Sequence, residues 1–449
     1  MVSVAELLEK LNQATSTEER NWILLESRLA RLPGDLATMV WAAAIPHFFD
    51  AAVLAALCPE LADQASDLYG QLQTLEFVEE FVGHGHNIHE LSRNILLDQL
   101  WKTDQERFLL YSRRMGDYFA GLDEVDAKIE MTYHRILADP NRWDYALDSV
   151  IVEWLNYRDL DKIEIALTRW QEHEQQQRLG RAGQLILQHY QGCVDYKKGN
   201  YADALVKLQQ SVEAEEQFLA ADHPQLAMHL QSLATVYGEQ GRYKEAEPLF
   251  QRSLEIRERL LGVDHPDTAT SLLSLANLYQ AQGRYEAAEP LYRRSLEILE
   301  QGLGADHPDT ANSLNNLALL YSSQGRYEAA EPLYRRSLEI YEQVLGADHP
   351  DTANSLNNLA SLYQSQGRYE AAEPLYRRSL EIREQVLGAD HPDTATSLNN
   401  LALLYKSQGR YEAAEPLYRR SLEIDEKVLE PSIPSRPPAS TTWQYSTNP

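Results

Sequence analysis

The chain has 449 residues with 41 Lys+Arg against 68 Asp+Glu, a formal net charge of −27. A chain this acidic lacks the basic face of a nucleic-acid reader, and it is disfavoured as an anchor on anionic lipid. Two cysteines, Cys58 and Cys193, cannot form a disulfide framework, and no run of apolar residues is long enough to span a bilayer. The opening MVSVAELLEK is a mixed-charge amphipathic segment rather than a secretory signal, so the expected location is cytoplasmic, away from nucleic acid and membrane.

Taken in chain order, residues 1–35 predict an N-terminal helical segment. Residues 36–106 read as helix, helix, a short strand-like pair around Phe77–Val82 and Asn87–Ile88, then a helix from His89. That order suits a small winged-helix-like domain. The segments AAAIPHFFDAAVLAAL, LYGQLQTLEFVEE and GHGHNIHELSRNILLDQL resemble the winged helix that follows the nucleotide-binding domain of STAND-type signalling ATPases. Ile88-His89-Glu90 stands where that family has a Met-His-Asp motif, and the resemblance implies that His89 is a phosphate-sensor relic. The departure is that no G-x-x-x-x-G-K-[ST] loop exists anywhere in the chain, so the phosphate cradle is missing. ERFLLYSRRMGDYF and MTYHRILADPNRW resemble the helices that join such domains to a repeat array, and 107–180 is expected to be a divergent helical linker. Arg93 is the one basic residue of the helix 89–100, which argues against DNA binding.

From there the sequence is periodic. His-Pro falls at 223–224, 265–266, 307–308, 349–350 and 391–392, a spacing of 42 residues each time, and Gln-Gly-Arg-Tyr recurs in step. In the unit 307–348, Pro308 suits a first helical turn and Asp309 places charge at the helix's positive end. Leu314, Leu317, Ala318 and Tyr321 form one apolar stripe of a helix. Gly325 is free to take a left-handed C-cap, a second helix carries Ala330, Leu333, Tyr334, Ser337 and Leu338 inward, and Gly346 ends it. One such hairpin cannot bury its apolar face alone, so the units must stack. Pro248, Pro290, Pro332, Pro374 and Pro416 lie about one turn into the second helices, where each helix is expected to begin or bend.

The pattern Leu317-Ala318, Tyr321, Gly325, Tyr327, Ala330, Tyr334 resembles the tetratricopeptide repeat (TPR). The 42-residue form, with LNNLALLY, GRYEAAEPLY and the closing Leu-Gly-Ala-Asp-His-Pro, is similar to kinesin light chain repeats and their bacterial relatives. A sixth, divergent unit precedes the five periodic ones, giving an array over 181–430. The resemblance implies an all-α fold: a right-handed TPR superhelix, an α-solenoid of 42-residue units, preceded by the winged-helix-like domain.

It also implies a concave groove lined by first helices that receives extended peptide. Units 307–348 and 349–390 differ at only three positions: Leu319/Ser361, Ser322/Gln364 and Tyr341/Arg383. The next unit changes the same three, to Leu403, Lys406 and Asp425, and replaces Asn354 by Thr396. The first two of these, with Asn312 and Asn354, fall on the expected groove face. Either the groove is tuned unit by unit, or recently duplicated units drift wherever packing leaves them free. Asn315, Asn357 and Asn399, with Gln231 earlier, are candidates for an amide clamp, because an amide offers both a donor and an acceptor. Asn316, Asn358 and Asn400 are read as structural.

Other chemistry is thin. The arginine pairs 293–294, 335–336, 377–378 and 419–420 are expected to meet glutamates one turn away, and the histidine that opens each unit to serve the turn. His84, His86 and His89 have short spacing and no fourth ligand nearby, so no metal is expected. No nucleophile elbow, zinc helix or dinucleotide loop is present, and neither a catalytic residue nor a cofactor is expected. Both cysteines read as core. The tail, 431–449, is Pro- and Ser-rich and reads as disordered, although Trp443 and Tyr445 could plug the groove. The sequence points to a non-enzymatic adaptor that binds a peptide segment of a partner. The alternative is the regulatory portion of a STAND-type switch whose ATPase acts in trans or has been lost.

Overall fold

The structure, a computed structural model, describes residues 4–138, 145–156, 160–218 and 223–429. The chain divides into two compact units, Met1–Val236 and Tyr237–Pro449.

The first unit opens with α1 (Val4–Gln13) and α2 (Thr17–Leu29). Ser16 caps α2 by accepting from the Glu19 N–H at 3.0 Å, while Glu19 reaches back to the Thr15 N–H at 2.7 Å. Then come α3 (Gly34–Ala43), α4 (Ala51–Leu57), a 3₁₀ turn (Pro59–Gln64) and α5 (Ala65–Leu72). The region 36–106 thus has three α-helices before its strands, where the sequence predicted two. The extra break falls at Pro46, which cannot continue a helix, and Asp50 restarts the chain by capping the Val53 N–H at 2.8 Å. Strands β1 (Val78–Phe81) and β2 (Gly85–Ile88) pair antiparallel, Val78 opposite Ile88. The helix expected from His89 begins one residue later, with His89 as its N-cap.

Next are α6 (Glu90–Thr103), α7 (Gln105–Phe119), α8 (Val125–Ala138), α9 (Tyr145–Asn156) and α10 (Leu160–Gln175). The helical hairpin of α11 (Arg181–Lys197) and α12 (Tyr201–Phe218) follows. One apolar core joins these elements, with Met39, Leu54, Leu96, Phe108, Met115 and Trp170 almost wholly buried. Cys58 is buried in it, and Cys193 packs at its edge. Helix α13 (Pro224–Glu239) runs across the boundary.

The second unit continues with α14 (Tyr243–Leu261) and α15 (Pro266–Ala281), then α16 (Tyr285–Gly302), α17 (Pro308–Ser323) and α18 (Tyr327–Val344). It closes with α19 (Pro350–Ser365), α20 (Tyr369–Val386), α21 (Pro392–Ser407) and α22 (Tyr411–Leu429). The repeated sequence explains the repeated geometry. His307 Nδ1 accepts from the Asp309 N–H at 3.1 Å, so the histidine of the turn is a helix N-cap, as are His265, His349 and His391. Thr310 Oγ1 donates to the Gly304 carbonyl at 2.8 Å and closes the loop behind it. Gly325 has φ 73, and the Arg326 N–H donates to the Tyr321 carbonyl at 2.8 Å, the left-handed cap expected there. Ala311, Leu314, Ala318, Ala330 and Tyr334 are buried.

The helices continue through the internal prolines and begin five residues before them. The expectation that each helix begins at its proline is corrected in this respect. Each proline is exposed, so water can satisfy the carbonyl whose partner N–H is missing. Among the described residues the fold is an all-α solenoid of tandem hairpins with a single two-stranded sheet.

Candidate partner-binding surface

What holds successive hairpins of the second unit together fixes the surface they present. Glu289 accepts from Arg293 at 2.8 Å on its own helix and from the Tyr321 hydroxyl at 3.0 Å on the next first helix. Its second oxygen accepts from Arg326 at 2.9 Å, and that guanidinium lies 4.1 Å from the Tyr321 ring centroid. The same clasp recurs at Glu331 with Arg335, Tyr363 and Arg368, and at Glu373 with Arg377, Tyr405 and Arg410. Partial burial works against the charged form of these glutamates, but the three donors outweigh it and hold each carboxyl below its ordinary range. The first arginine of each pair thus meets the glutamate one turn before it. The second reaches back one unit instead: Arg336 to Glu300 at 2.7 Å and Arg378 to Glu342 at 2.6 Å.

On this frame the first helices expose one stripe. In α17, Asn312 and Leu319 are exposed while Asn315 and Ser322 are half-buried. In α19, Asn354 and Ser361 are exposed, Asn357 and Gln364 half-buried; in α21, Leu403 and Lys406 are exposed and Asn399 half-buried. Leu319 and Leu403 keep 42% and 40% of their surface in solvent. The amides link the units. Asn358 Nδ2 donates to Asn315 Oδ1 at 3.2 Å, and Asn400 Nδ2 to Asn357 Oδ1 at 2.9 Å. Two of the three asparagines assigned to the clamp, Asn315 and Asn357, therefore accept from those assigned to structure, one unit on.

Other stripe residues also have intramolecular partners. Asn312 Oδ1 accepts from Asn316 at 3.2 Å, and Asn354 accepts from Arg383. Gln364 accepts from the Tyr376 hydroxyl at 3.0 Å. Gln231 lies half-buried on α13, and the corresponding position of the intervening unit is the buried Leu273, which interrupts the amide row.

The tetratricopeptide repeat family model matches at residues 184–259, 226–301, 275–343, 309–385 and 351–427, together more than half of the chain. The chain belongs to the tetratricopeptide repeat family. Among solved structures, this TPR protein is similar to BtubC (BKLC) from P. vanneervenii, 24% identical over 56% of this chain and 97% of that one, with a TM-score of 0.41. It is similar to a Podosopora anserina protein described as a kinesin light chain of nearly identical TPR-like repeats, 28% identical over 46% and 99%, TM-score 0.39. It is also similar to a Rap protein complexed with competence and sporulation factor, 17% identical over 74% and 95%, TM-score 0.45. No curated protein matches.

The remaining candidate residues of the TPR chain are dispersed. His84 Nε2 lies 3.1 Å from Asp126, His86 Nδ1 is 2.8 Å from the Tyr69 hydroxyl, and His89 is exposed at the amino end of α6. Among the described residues no three metal-ligating side chains converge. No described helix is long and apolar enough to cross a membrane. Burial pushes the Cys58 thiol up, with Tyr111 the neighbour across a 3.9 Å contact. Trp443 and Tyr445 lie outside the described residues.

Sequence reasoning missed two buried polar clusters in the first unit. Glu130, with none of its surface exposed, meets His47 Nδ1 at 2.8 Å, His134 Nε2 at 3.5 Å and the Arg169 guanidinium. Its burial opposes ionisation, but His47, His134 and Arg169 hold the carboxyl well below its usual range. Near α12, Glu215 lies 3.0 Å from His229 Nδ1, and the His229 and His189 rings stack 3.8 Å apart. Burial pushes Glu215 up to about 8 and His229 down to about 3, favouring the neutral form of each. Only helix-face alternation could have flagged these residues, and it cannot say which buried polar groups meet.

Proposed function

We propose that this TPR protein is a non-enzymatic adaptor whose first-helix groove takes an extended segment of a partner protein. The observation that carries the reading is the stripe itself. Amides joined from unit to unit lie beside exposed positions that vary, while the packed positions of the same helices stay constant. An amide whose oxygen accepts from its neighbour still has N–H to offer, and a row of them holds a peptide main chain without reading its sequence. Leu319, Ser361 and Leu403, with Ser322, Gln364 and Lys406, then select side chains. No cofactor is needed. A photo-crosslinking residue at 319 or 403 should capture a partner peptide in native extract, whereas one at Glu339, exposed on a second helix, should not. Equal capture at all three would reject the groove.

A second reading is supported by the order of helices, hairpin and helix over 36–106, with His89 exposed where the hairpin hands over to α6. In it the winged-helix-like region of a STAND-type switch docks an ATPase acting in trans. A crosslinker at Val82, which is 87% exposed at the hairpin, should then capture an ATP-binding protein. His89→Ala should reduce that capture, and absence of any nucleotide-binding protein removes this reading.

A further inference from the structure

The last hairpin ends on a helix face that the inner hairpins never leave open. Leu296, Leu338 and Leu380 occupy one repeat position, and each packs on a cluster built by the following unit. Their counterpart on α22, Leu422, has 58% of its surface in solvent. The glutamate of the inner clasp, Glu373, is 22% exposed, whereas Glu415 is 70% exposed and Arg419 69%. Glu415 keeps its own pair with Arg419 at 2.8 Å. Among the described residues it receives neither the tyrosine hydroxyl nor the second guanidinium that complete the clasp at Glu289, Glu331 and Glu373. Tyr411, also 67% exposed, borders a depression of about 440 Å³ along this face, with Tyr418 in its wall.

The inner units define what such a face accepts: a guanidinium for the second carboxylate oxygen, a tyrosine hydroxyl beside it, and an aliphatic side chain against the leucine. We propose that this face takes the α22 of a second copy of the chain, packed antiparallel. The outward stripe runs Tyr411, Glu415, half-buried Tyr418, Arg419 and Leu422, with Ala414 buried at its floor, the i, i+3, i+4 spacing of one helix face. A two-fold axis passing near Leu417 sets Glu415 of one copy against Arg419 of the second copy, and the reverse, so the charges are self-complementary as an isologous interface requires. The same operation sets the second copy's Tyr418 beside Glu415 and lays its Tyr411 against Leu422. The interface borrows the chemistry of the internal unit contact and satisfies it with a symmetry mate.

Sedimentation equilibrium of the full chain tests this. Wild type should move from 51.2 kDa toward twice that mass as concentration rises. Glu415→Arg alone and Arg419→Glu alone should each weaken association by roughly tenfold or more, because like charges then face each other. The double exchange Glu415→Arg/Arg419→Glu should restore it. Far-UV circular dichroism checks that the variants fold, and Leu422→Glu should abolish association independently. A wild type that stays monomeric overturns the proposal. So does a dimer indifferent to the single reversals, or a dimer that appears only when 431–449 is removed, since the tail would then be the occupant.

Discussion

The two units solve the burial of polar groups in opposite ways. In the second, charged clasps sit on the edges between hairpins, each copied every 42 residues, and the interior is largely Ala, Leu, Tyr and Ser. In the first, ionisable groups go inside: Glu130 and Glu215 lie fully buried among histidines, and Arg93 donates to the Ile45 carbonyl at 3.1 Å from a buried position. A repeated unit must place every polar group where its successor can meet it, so one solution propagates. A unique fold has no such constraint, and its stability is expected to depend on a few irreplaceable groups.

The largest expected effect follows at Glu130. Glu130→Ala leaves His47, His134 and Arg169 without their shared acceptor, and should cost the first unit about 3–5 kcal/mol, the usual loss on breaking a buried pair. Six of the seven tryptophans precede residue 237, so fluorescence-detected urea unfolding reads mainly this unit, and far-UV circular dichroism reads both. The second unit's transition should not move. At Glu215 the effect is in pH. Its carboxyl is raised from 4.5 to about 8 by burial, so the folded state holds a proton that the unfolded chain releases. The stability linked to it is complete below pH 4.5 and declines as pH rises through about 8. Glu215→Gln should flatten that decline; an unchanged slope would remove the group from the account.

Smaller effects separate the inside of the array from its end. Glu331→Ala removes the acceptor of three donors and should cost about 1–3 kcal/mol, whereas Glu415→Ala, an exposed pair, should cost well under 1 kcal/mol in the monomer. Equal losses would mean that the clasp contributes nothing beyond its helix-local pair. At the unit's entry, His307→Ala removes one N-cap of a repeated series and should lower stability by about 0.5–1 kcal/mol.

These contrasts also mark what the sequence made legible. The period, the hairpin boundaries, the Gly325 cap and the inward stripe followed from local rules, because in a repeat the same local rule recurs until it is unmistakable. The histidine turn was placed correctly, although its acceptor role at the Asp309 N–H needed coordinates. The clasp joining Glu289 to Tyr321 and Arg326 was present as a recurring spacing, yet only stacked helices show that these residues meet. The direction of Arg336, back to Glu300, was missed because a pair within one helix was the nearer explanation. The Glu130 and Glu215 clusters left no periodic trace, since their partners come from distant helices. Of the candidate site, the stripe was legible; its internal hydrogen bonds, Asn358 to Asn315 above all, were not.

The central claim is that the amide-bearing stripe binds peptide main chain, and titration of selected peptides tests it most directly. Peptides isolated from a display library on the full chain would be titrated by calorimetry into wild type and into the Asn315→Ala/Asn357→Ala/Asn399→Ala variant. The account predicts an affinity reduced by roughly tenfold or more, several lost hydrogen bonds' worth, with little change in melting temperature. Undiminished affinity in a folded triple variant would contradict it.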